Sequence, residues 1–366
     1  MIEVPVELGA RRYAVSIGHG ASRLLGGLLA PFARRPTLLV TTRKVWALHG
    51  HRLEPALRAV GRPLHRAFVP DGESAKTTST LEALWQALHE ARIGRDGLVV
   101  ALGGGAASDV AGLAAATWNR GLDWIAIPTT LLSMVDSSVG GKCAINHPAA
   151  KNAIGAFHQP RAVVADPDLL ETLPPRERQS GAYEILKCAL LADRDLFRAL
   201  AEAPPRLVGW DRIALENAIA DAVRVKAAIV ERDEHEGDLR RVLNLGHTLG
   251  HALEAATRFR RFTHGEAVGW GLIGAAWIAH RKNLIAARGF DAIARAVDAL
   301  GPRPRVSDLD PARLLAAVAL DKKARAGSVT WVLPAAIGRV VLRSDVGRAE
   351  IRAALRVMAA REARRG

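Results

Sequence analysis

The sequence predicts an α/β N-terminal domain on a largely parallel sheet, followed by an all-α C-terminal domain that carries a candidate metal-binding site. Three observations predict it. Short β-branched or apolar runs alternate with helical patterns up to about residue 175, strand signals nearly vanish beyond it, and three histidines gather in the second half.

The segments Thr37–Thr41, Gly97–Leu102, Trp124–Pro128 and Ala162–Ala165 are continuous apolar runs bounded by turn residues, the pattern of strands buried on both faces. Ser79–Ala91 and Asp109–Thr117 have helical periodicity between them. Strands separated by helices imply parallel pairing, because a parallel partner is reached only by a crossover. The pair Pro174–Pro175 opposes continued helix or central strand and marks the boundary, giving domains 1–175 and 176–366. Past Arg176 the chain is Ala/Leu/Arg-rich with helical spacing. It is interrupted at Pro204–Pro205 and Gly301–Pro302 and by a short strand-like run, Val329–Leu333.

Composition narrows the class. A chain of 366 residues, 49% hydrophobic and 24% charged, is an ordinary globular protein with room for two domains. No stretch approaches the roughly 18 uninterrupted apolar residues of a membrane span. The acidic, strand-like start Met-Ile-Glu-Val-Pro-Val-Glu lacks the basic-then-apolar layout of a signal peptide, and the two cysteines, Cys143 and Cys188, lack CxxC spacing. A cytoplasmic protein without a membrane partner is expected. The net charge of +14 raises nucleic acid as a partner, but the Arg and Lys residues are dispersed, with few aromatics interleaved to stack on bases. The expectation is no nucleic acid, and local basic pockets for anions.

Three segments carry polar groups at the ends of predicted strands. Gly103-Gly-Gly-Ala-Ala-Ser-Asp109 stands between a strand and a helix, where glycines let backbone amides approach a pyrophosphate. Its spacing is neither GxGxxG nor a P-loop, so a structural turn remains open. Pro70-Asp71-Gly72-Glu73-Ser-Ala-Lys76 brings a carboxylate and an ammonium to the same edge. Pro128-Thr129-Thr130 through Asp136 to Lys142, continued by Lys151-Asn152, packs hydroxyls, amide, carboxylate and lysines into one stretch. Such density is costly to bury without partners and reads as an anion and polyol pocket or a solvated loop.

The second half supplies metal-ligand chemistry. In Asn244-Leu-Gly-His-Thr-Leu-Gly-His251, His247 and His251 stand four apart on a predicted helix and share a face. His264 opens the next apolar segment. Catalytic zinc commonly takes two histidines and a carboxylate and keeps one position open, so a carboxylate must come from elsewhere. Thr248 follows His247, so the His-Glu-x-x-His arrangement of zinc peptidases is absent.

These blocks occur in one order with Arg120-Gly, Gly155-Ala-Phe157, Glu184-Ile-Leu-Lys187 and His264-Gly-Glu-Ala267. In that order the chain, from about Asp71 to Gly338, resembles the 3-dehydroquinate synthases, a family of sugar-phosphate cyclases. The resemblance implies a Rossmann-like NAD-binding domain, a helical metal- and substrate-binding domain, and a homodimer. It implies Zn²⁺, with Co²⁺ as a substitute, held by Glu184, His247 and His264. The implied reaction converts a phosphorylated 2-keto sugar acid, 3-deoxy-D-arabino-heptulosonate 7-phosphate, to 3-dehydroquinate and phosphate. It proceeds by transient oxidation with NAD, phosphate elimination, re-reduction and intramolecular aldol cyclisation.

By the same resemblance, Lys142, Asn152, His251 and a lysine of Lys322–Lys323 contact the substrate phosphate, with Arg120 reaching in from the partner subunit. Lys226, Arg240 and Asn244 meet carboxylate and hydroxyls, Glu236 orients Lys226, and Asp136 and Lys187 flank the reacting hydroxyls. The NAD contacts are Asp71, Gly72, Glu73, Lys76, Gly104, Gly105, Ser108, Asp109, Thr129, Thr130, Asp136, Lys142, Lys151, Leu169 and Thr172. The chain departs from the family pattern at Thr42-Arg43-Lys44, Ser108, Cys143 and Tyr183. Alternative readings are a cyclase of secondary metabolism, making an amino-dehydroquinate or a cyclitol, and a metal-dependent polyol dehydrogenase.

Overall fold

Residues 35–42 form the strand around which the N-terminal architecture is organised. β3 (Arg35–Thr42) pairs in parallel with β4 (Gly61–Val69) on one side and β5 (Leu98–Gly103) on the other. β6 (Asp123–Pro128) and β9 (Ala162–Ala165) extend the parallel sheet. β2 (Tyr13–Ile17) pairs in parallel with β9, and β1 (Ile2–Val6) closes the edge antiparallel to β2. The seven-stranded order is β1-β2-β9-β6-β5-β3-β4. The computed structural model describes residues 1–148, 150–202, 211–324 and 329–363; the side chains of 60–62, 320–324 and 363 lie outside that set.

The apolar runs are explained by burial on both faces. Leu39, Leu98, Val100, Leu102, Ile125, Ile127 and Val164 pack on one face with Leu53 and Leu57 of α2 (Arg43–Val60) and with Leu25 of α1 (Leu25–Leu28). The alternate residues Leu38, Val40, Val99 and Ala101 are equally buried. α3 (Thr78–Glu90) and α4 (Gly105–Thr117) follow β4 and β5. α4 begins four residues before the sequence pattern suggests. The glycine turn is itself its first turn, with Ser108 N donating to Gly104 O at 3.1 Å.

β4 lies outside β3, and the chain then returns to place β5 on the opposite side of β3. The strand order therefore reverses between β3 and β5, and open α/β sheets bind ligands at the carboxyl ends of strands flanking such a reversal. Gly103–Gly105 and Thr42–Arg43 stand at those ends. β7 (Lys142–His147) and β8 (Ala150–Phe157) form a separate antiparallel hairpin, absent from the sequence expectation because its residues lack apolar alternation.

The chain divides into two compact units. The first holds Met1–Pro174 with Lys226–His235, and the second holds Pro175–Val225 with Glu236–Gly366. The helices of the second are α5 (Pro175–Ala192), α6 (Arg194–Glu202), most of α7 (Arg212–Arg232), α8 (His247–Ala256), α9 (His264–Arg281), α10 (Ala287–Ala299), α11 (Pro311–Ala324) and α12 (Arg348–Ala363). One antiparallel hairpin, β10 (Trp331–Ala336) with β11 (Arg339–Arg343), joins them. Pro204–Pro205 lies outside the described residues. No described helix is long and apolar enough to cross a membrane.

α9 is the centre of the second unit. It is buried along nearly its whole length from Gly265 to Ala279, and α8 packs across it. The crossing is close because a Cβ on Gly271 would stand 1.9 Å from Gly246 O. Only glycine permits that approach, and it brings the start of α8, with His247, against α9.

Candidate functional site

In the first unit, the polar groups gather beside the β5–α4 turn. Lys76 is 4% exposed and its Nζ donates to Asp109 Oδ2 at 2.5 Å and to Asn152 Oδ1. Burial pushes the Asp109 carboxyl up to about 6, against the opposing pull of the Lys76 ammonium. Asn146, which sequence reasoning missed, ties the segments together. Its N donates to Lys76 O at 2.9 Å, its Nδ2 to Glu73 Oε1 at 2.8 Å, and its Oδ1 accepts from Asn152 N at 2.8 Å. The pairing of the β7–β8 hairpin sets this contact, and no sequence signal announces it. Lys151 Nζ lies 3.9 Å from Glu73 Oε1.

Gly105 permits the next contact, since a Cβ there would meet Ser137 Oγ at 2.7 Å. That places the glycine turn against the segment Thr129–Lys142. Thr130 Oγ1 accepts from Ser133 N at 3.1 Å, starting a short helical stretch that passes into a π-helix over Ser133–Ser137. Single π turns of this kind are frequent at functional sites. Asp136 is in it, and its side chain forms an ion pair with Lys226, whose Nζ also donates to Asp136 O at 2.5 Å. Residue 226 is 90 positions away in sequence, so only the fold supplies this partner.

Ser108 and Thr129 join the same turn, Ser108 N donating to Gly104 O at 3.1 Å and Thr129 N to Gly103 O at 2.9 Å. Ser108 and Thr129 are buried, Lys142 and Arg120 are exposed, and Asp71 and Gly72 open the turn before Lys76. Leu169 is fully buried in the apolar core, and Thr172 Oγ1 lies 3.0 Å from His49 Nε2. Thr42 Oγ1 accepts from Val45 N at 3.2 Å and caps α2, while the Arg43 guanidinium stands 4.8 Å over the Phe68 ring. Cys143 fills the space that a Cβ on Gly112 would take.

In the second unit, Glu184, His247 and His264 converge. The Glu184 carboxylate on α5 is fully buried, and His247 Nε2 and His264 Nε2 stand 3.9 and 3.6 Å from its Oε1. Lys187, one turn along α5, forms an ion pair with Oε2, whereas Oε1, the oxygen that faces both imidazoles, accepts no hydrogen bond among the described residues. A buried carboxylate oxygen without a hydrogen bond is expensive unless a cation occupies its lone pairs. Both imidazoles turn their other nitrogen away: His247 Nδ1 lies 3.2 Å from Leu245 O and His264 Nδ1 lies 3.3 Å from Glu254 Oε2. Burial, with the Lys187 ammonium and the neighbouring His264 and His251 rings, holds the His247 pKa well below the usual histidine range, so its ring is neutral and a lone pair is available.

The donor set fits a divalent ion. Ligands at about 2.1 Å in tetrahedral geometry stand roughly 3.4 Å apart, close to the distances found. The three ligand atoms all lie within 4.8 Å of one another. The His251 ring is exposed, 5.2 Å from that of His247, and outside this triad. It also forms an overlapping group with Glu254 and His264. Glu254 was not legible as a site residue, although it sits seven positions past His247 on the same helix.

Local sequence explains how α9 presents His264. Thr263 Oγ1 accepts from Glu266 N at 3.3 Å and Glu266 Oε2 accepts from Thr263 N at 2.8 Å, a capping box that makes His264 the first helical residue. Arg240 is fully buried, and Asn244 and Glu236 are partly buried, the latter with a left-handed backbone (φ 58°). Lys322 and Lys323 belong to α11, and their side chains lie outside the described residues. Tyr183, beside Glu184, is held by Gln179 Nε2 (3.0 Å), Gly301 O (3.2 Å) and Arg303 Nη1 (3.2 Å).

Comparison with known proteins agrees over nearly the whole chain. The family model described as 3-dehydroquinate synthase N-terminal matches residues 66–180, and the one described as 3-dehydroquinate synthase C-terminal matches residues 181–324. A 3-dehydroquinate synthase of Pelotomaculum thermopropionicum is 42% identical over 351 residues, 95% of this chain and 94% of that protein. One of a Bradyrhizobium species is 43% identical over 96% of this chain and 94% of its own. Among solved structures, 2-deoxy-scyllo-inosose synthase complexed with carbaglucose-6-phosphate, NAD⁺ and Co²⁺ is similar with a TM-score of 0.88. It is 26% identical and covers 97% of this chain and 99% of that one. The 2-epi-5-epi-valiolone synthase of Streptomyces hygroscopicus subsp. jinggangensis, with NAD⁺ and Zn²⁺ bound, has a TM-score of 0.85, 29% identity and 99% coverage of both chains. A glycerol dehydrogenase of Schizosaccharomyces pombe, 15% identical with a TM-score of 0.69, covering 96% of this chain and 89% of that one, shares the fold.

Proposed function

The chain belongs to the 3-dehydroquinate synthase family, and from that premise we propose that it converts 3-deoxy-D-arabino-heptulosonate 7-phosphate to 3-dehydroquinate and phosphate, a step of the shikimate pathway. The observation that carries the reading is the convergence of Glu184, His247 and His264 in a chain of which 95% is matched by a 3-dehydroquinate synthase at 42% identity. The cyclases forming inosose and valiolone products, at 26% and 29% identity, favour the alternative less. When bound, NAD takes up and returns a hydride, and Zn²⁺ or Co²⁺ acts as a Lewis acid on the substrate hydroxyl.

Glu184, His247 and His264 hold the divalent ion. Lys187, in ion-pair contact with Glu184, keeps an ammonium beside the hydroxyls that react. Gly104 and Gly105 at the start of α4 offer backbone amides to the dinucleotide pyrophosphate. Glu73, Lys76, Asp109, Thr129, Thr130, Lys151 and Thr172 complete that contact, and the buried Lys76–Asp109 pair fixes the ammonium in place. Asp136 and Lys226 orient one another, so both meet the substrate with little reorganisation. Arg240 suits a carboxylate, because a guanidinium fork binds it bidentately. Lys142, Asn152, His251 and a lysine of Lys322–Lys323 take the phosphate. We place the protein in the cytoplasm, in keeping with its two buried, unbridged cysteines. Its assembly is a homodimer in which Arg120 serves the partner subunit.

The test is phosphate release from 3-deoxy-D-arabino-heptulosonate 7-phosphate with NAD and Zn²⁺, following 3-dehydroquinate in parallel and repeating after chelation. Chelator-sensitive release matching product, without net NADH, is expected. Consumption of sedoheptulose 7-phosphate or glucose 6-phosphate instead would move the chain to a cyclitol-forming activity.

A further inference from the structure

We propose that Glu254 is a positioning residue of the metal centre: its carboxylate holds the His264 imidazole in the orientation and tautomer that present Nε2 to the ion. The inference rests on the metal-centre reading above and adds a residue that is not itself a ligand.

The two nitrogens of His264 face two different carboxylates. Nε2 is 3.6 Å from Glu184 Oε1, and Nδ1 is 3.3 Å from Glu254 Oε2. An ionised carboxylate only accepts hydrogen bonds, and a neutral imidazole has one N–H and one lone pair. The ring nitrogen facing Glu254 therefore carries the proton when Nε2 gives its lone pair to a cation. The side chain of His264 is 28% exposed while that of Glu254 is 6% exposed, so the fixed partner is the carboxylate and the ring is the group that needs fixing. His247 is served differently, by the backbone carbonyl of Leu245 at 3.2 Å. A carboxylate partner also raises the basicity of the imidazole, which a neutral carbonyl does less.

The fold places Glu254 for this role. His247 and Glu254, seven residues apart, lie on one face of α8. Past the C-cap Thr257 the helix is followed by two successive left-handed residues, Arg258 (φ 53°) and Phe259 (φ 56°), and Phe259 N donates to Glu254 O at 2.7 Å. That turn reverses the chain and returns His264, at the head of α9, to the carboxylate it left ten residues earlier.

The group His251, Glu254 and His264 could in principle hold a second cation. Positioning is favoured because an ion there would need a lone pair on His264 Nδ1, and a ring already ligating through Nε2 has its remaining proton on that atom.

The experiment measures zinc affinity of the full chain by competition with a chelator, together with ions bound per chain, for wild type, Glu254→Gln and Glu254→Ala. Melting of the metal-free proteins and ¹⁵N resonances of His264 accompany it. We expect one ion throughout, bound about 10–100-fold more weakly by Glu254→Ala and less weakened in Glu254→Gln, whose amide oxygen still accepts. Metal-free melting of the Gln variant should match wild type, and the Nδ1–H signature of His264 should be lost in the Ala variant. Unchanged affinity in both variants overturns the proposal, as does a lower metal-free melting temperature with unchanged affinity. A second ion present in wild type and lost in the variants makes Glu254 a ligand instead and also overturns it. A wild-type chain that binds no stoichiometric ion overturns the metal centre itself, and is told apart by failing before any variant is compared.

Discussion

Lys76 Nζ donates to Asp109 Oδ2 at 2.5 Å, yet burial still pushes the Asp109 carboxyl up to about 6, above the ordinary aspartate value of 3.8. Desolvation outweighs the attraction of its partner. A carboxyl whose folded pKa is raised contributes stability that is fully present below about 3.8 and is lost as pH rises through about 6. Asp109→Asn, which cannot ionise, should therefore gain on wild type as pH rises, by up to roughly 3 kcal/mol for a shift of about two pH units. Urea unfolding of both proteins across this window checks it; a difference independent of pH would refute the assignment.

Removing one metal ligand should cost more than removing an orienting group. Glu184→Gln is expected to weaken zinc binding beyond the roughly 10–100-fold of an outer-shell change and to abolish turnover. His247→Ala should behave alike with the fold largely kept. Metal analysis after dialysis, with circular dichroism as the control, decides this. A variant retaining one tightly bound ion would remove Glu184 from the ligand set.

The α8–α9 crossing depends on a missing side chain. Gly271→Ala should lose about 2 kcal/mol or more through overpacking against Gly246 O, and its metal affinity should fall as His247 moves. Gly289→Ala on α10 is the control: its nearest neighbour is 3.6 Å away, and helix propensity should stabilise it by up to about 1 kcal/mol. Equal effects in thermal melts would contradict the close-approach argument.

The capping box at Thr263 should be worth about 1 kcal/mol. Thr263→Ala is expected to lower the melting temperature and to loosen zinc, because His264 follows the cap directly; Thr263→Ser should restore both. Weakened zinc in the alanine variant without rescue by serine would assign the effect to something other than the cap.

Much of this protein was determined by sequence alone. Apolar runs such as Thr37–Thr41 and Gly97–Leu102 specified buried parallel strands, because burial on both faces demands uninterrupted hydrophobicity. The helical spacing of His247 and His251 placed them on one face by local geometry. The ordered motifs from Asp71 onward identified the family. Only the tertiary structure decided which distant groups meet. Lys226 reaches Asp136 across 90 residues, Asn146 joins Lys76 to Asn152 through the β7–β8 hairpin, and Glu254 faces His264 across a left-handed turn. Local periodicity reports which face of an element is apolar, whereas the partner of a polar side chain is set by the path of the chain between them. That path also decided that Gly271 and Gly105 must lack side chains, since the atoms a Cβ would strike, Gly246 O and Ser137 Oγ, belong to other segments.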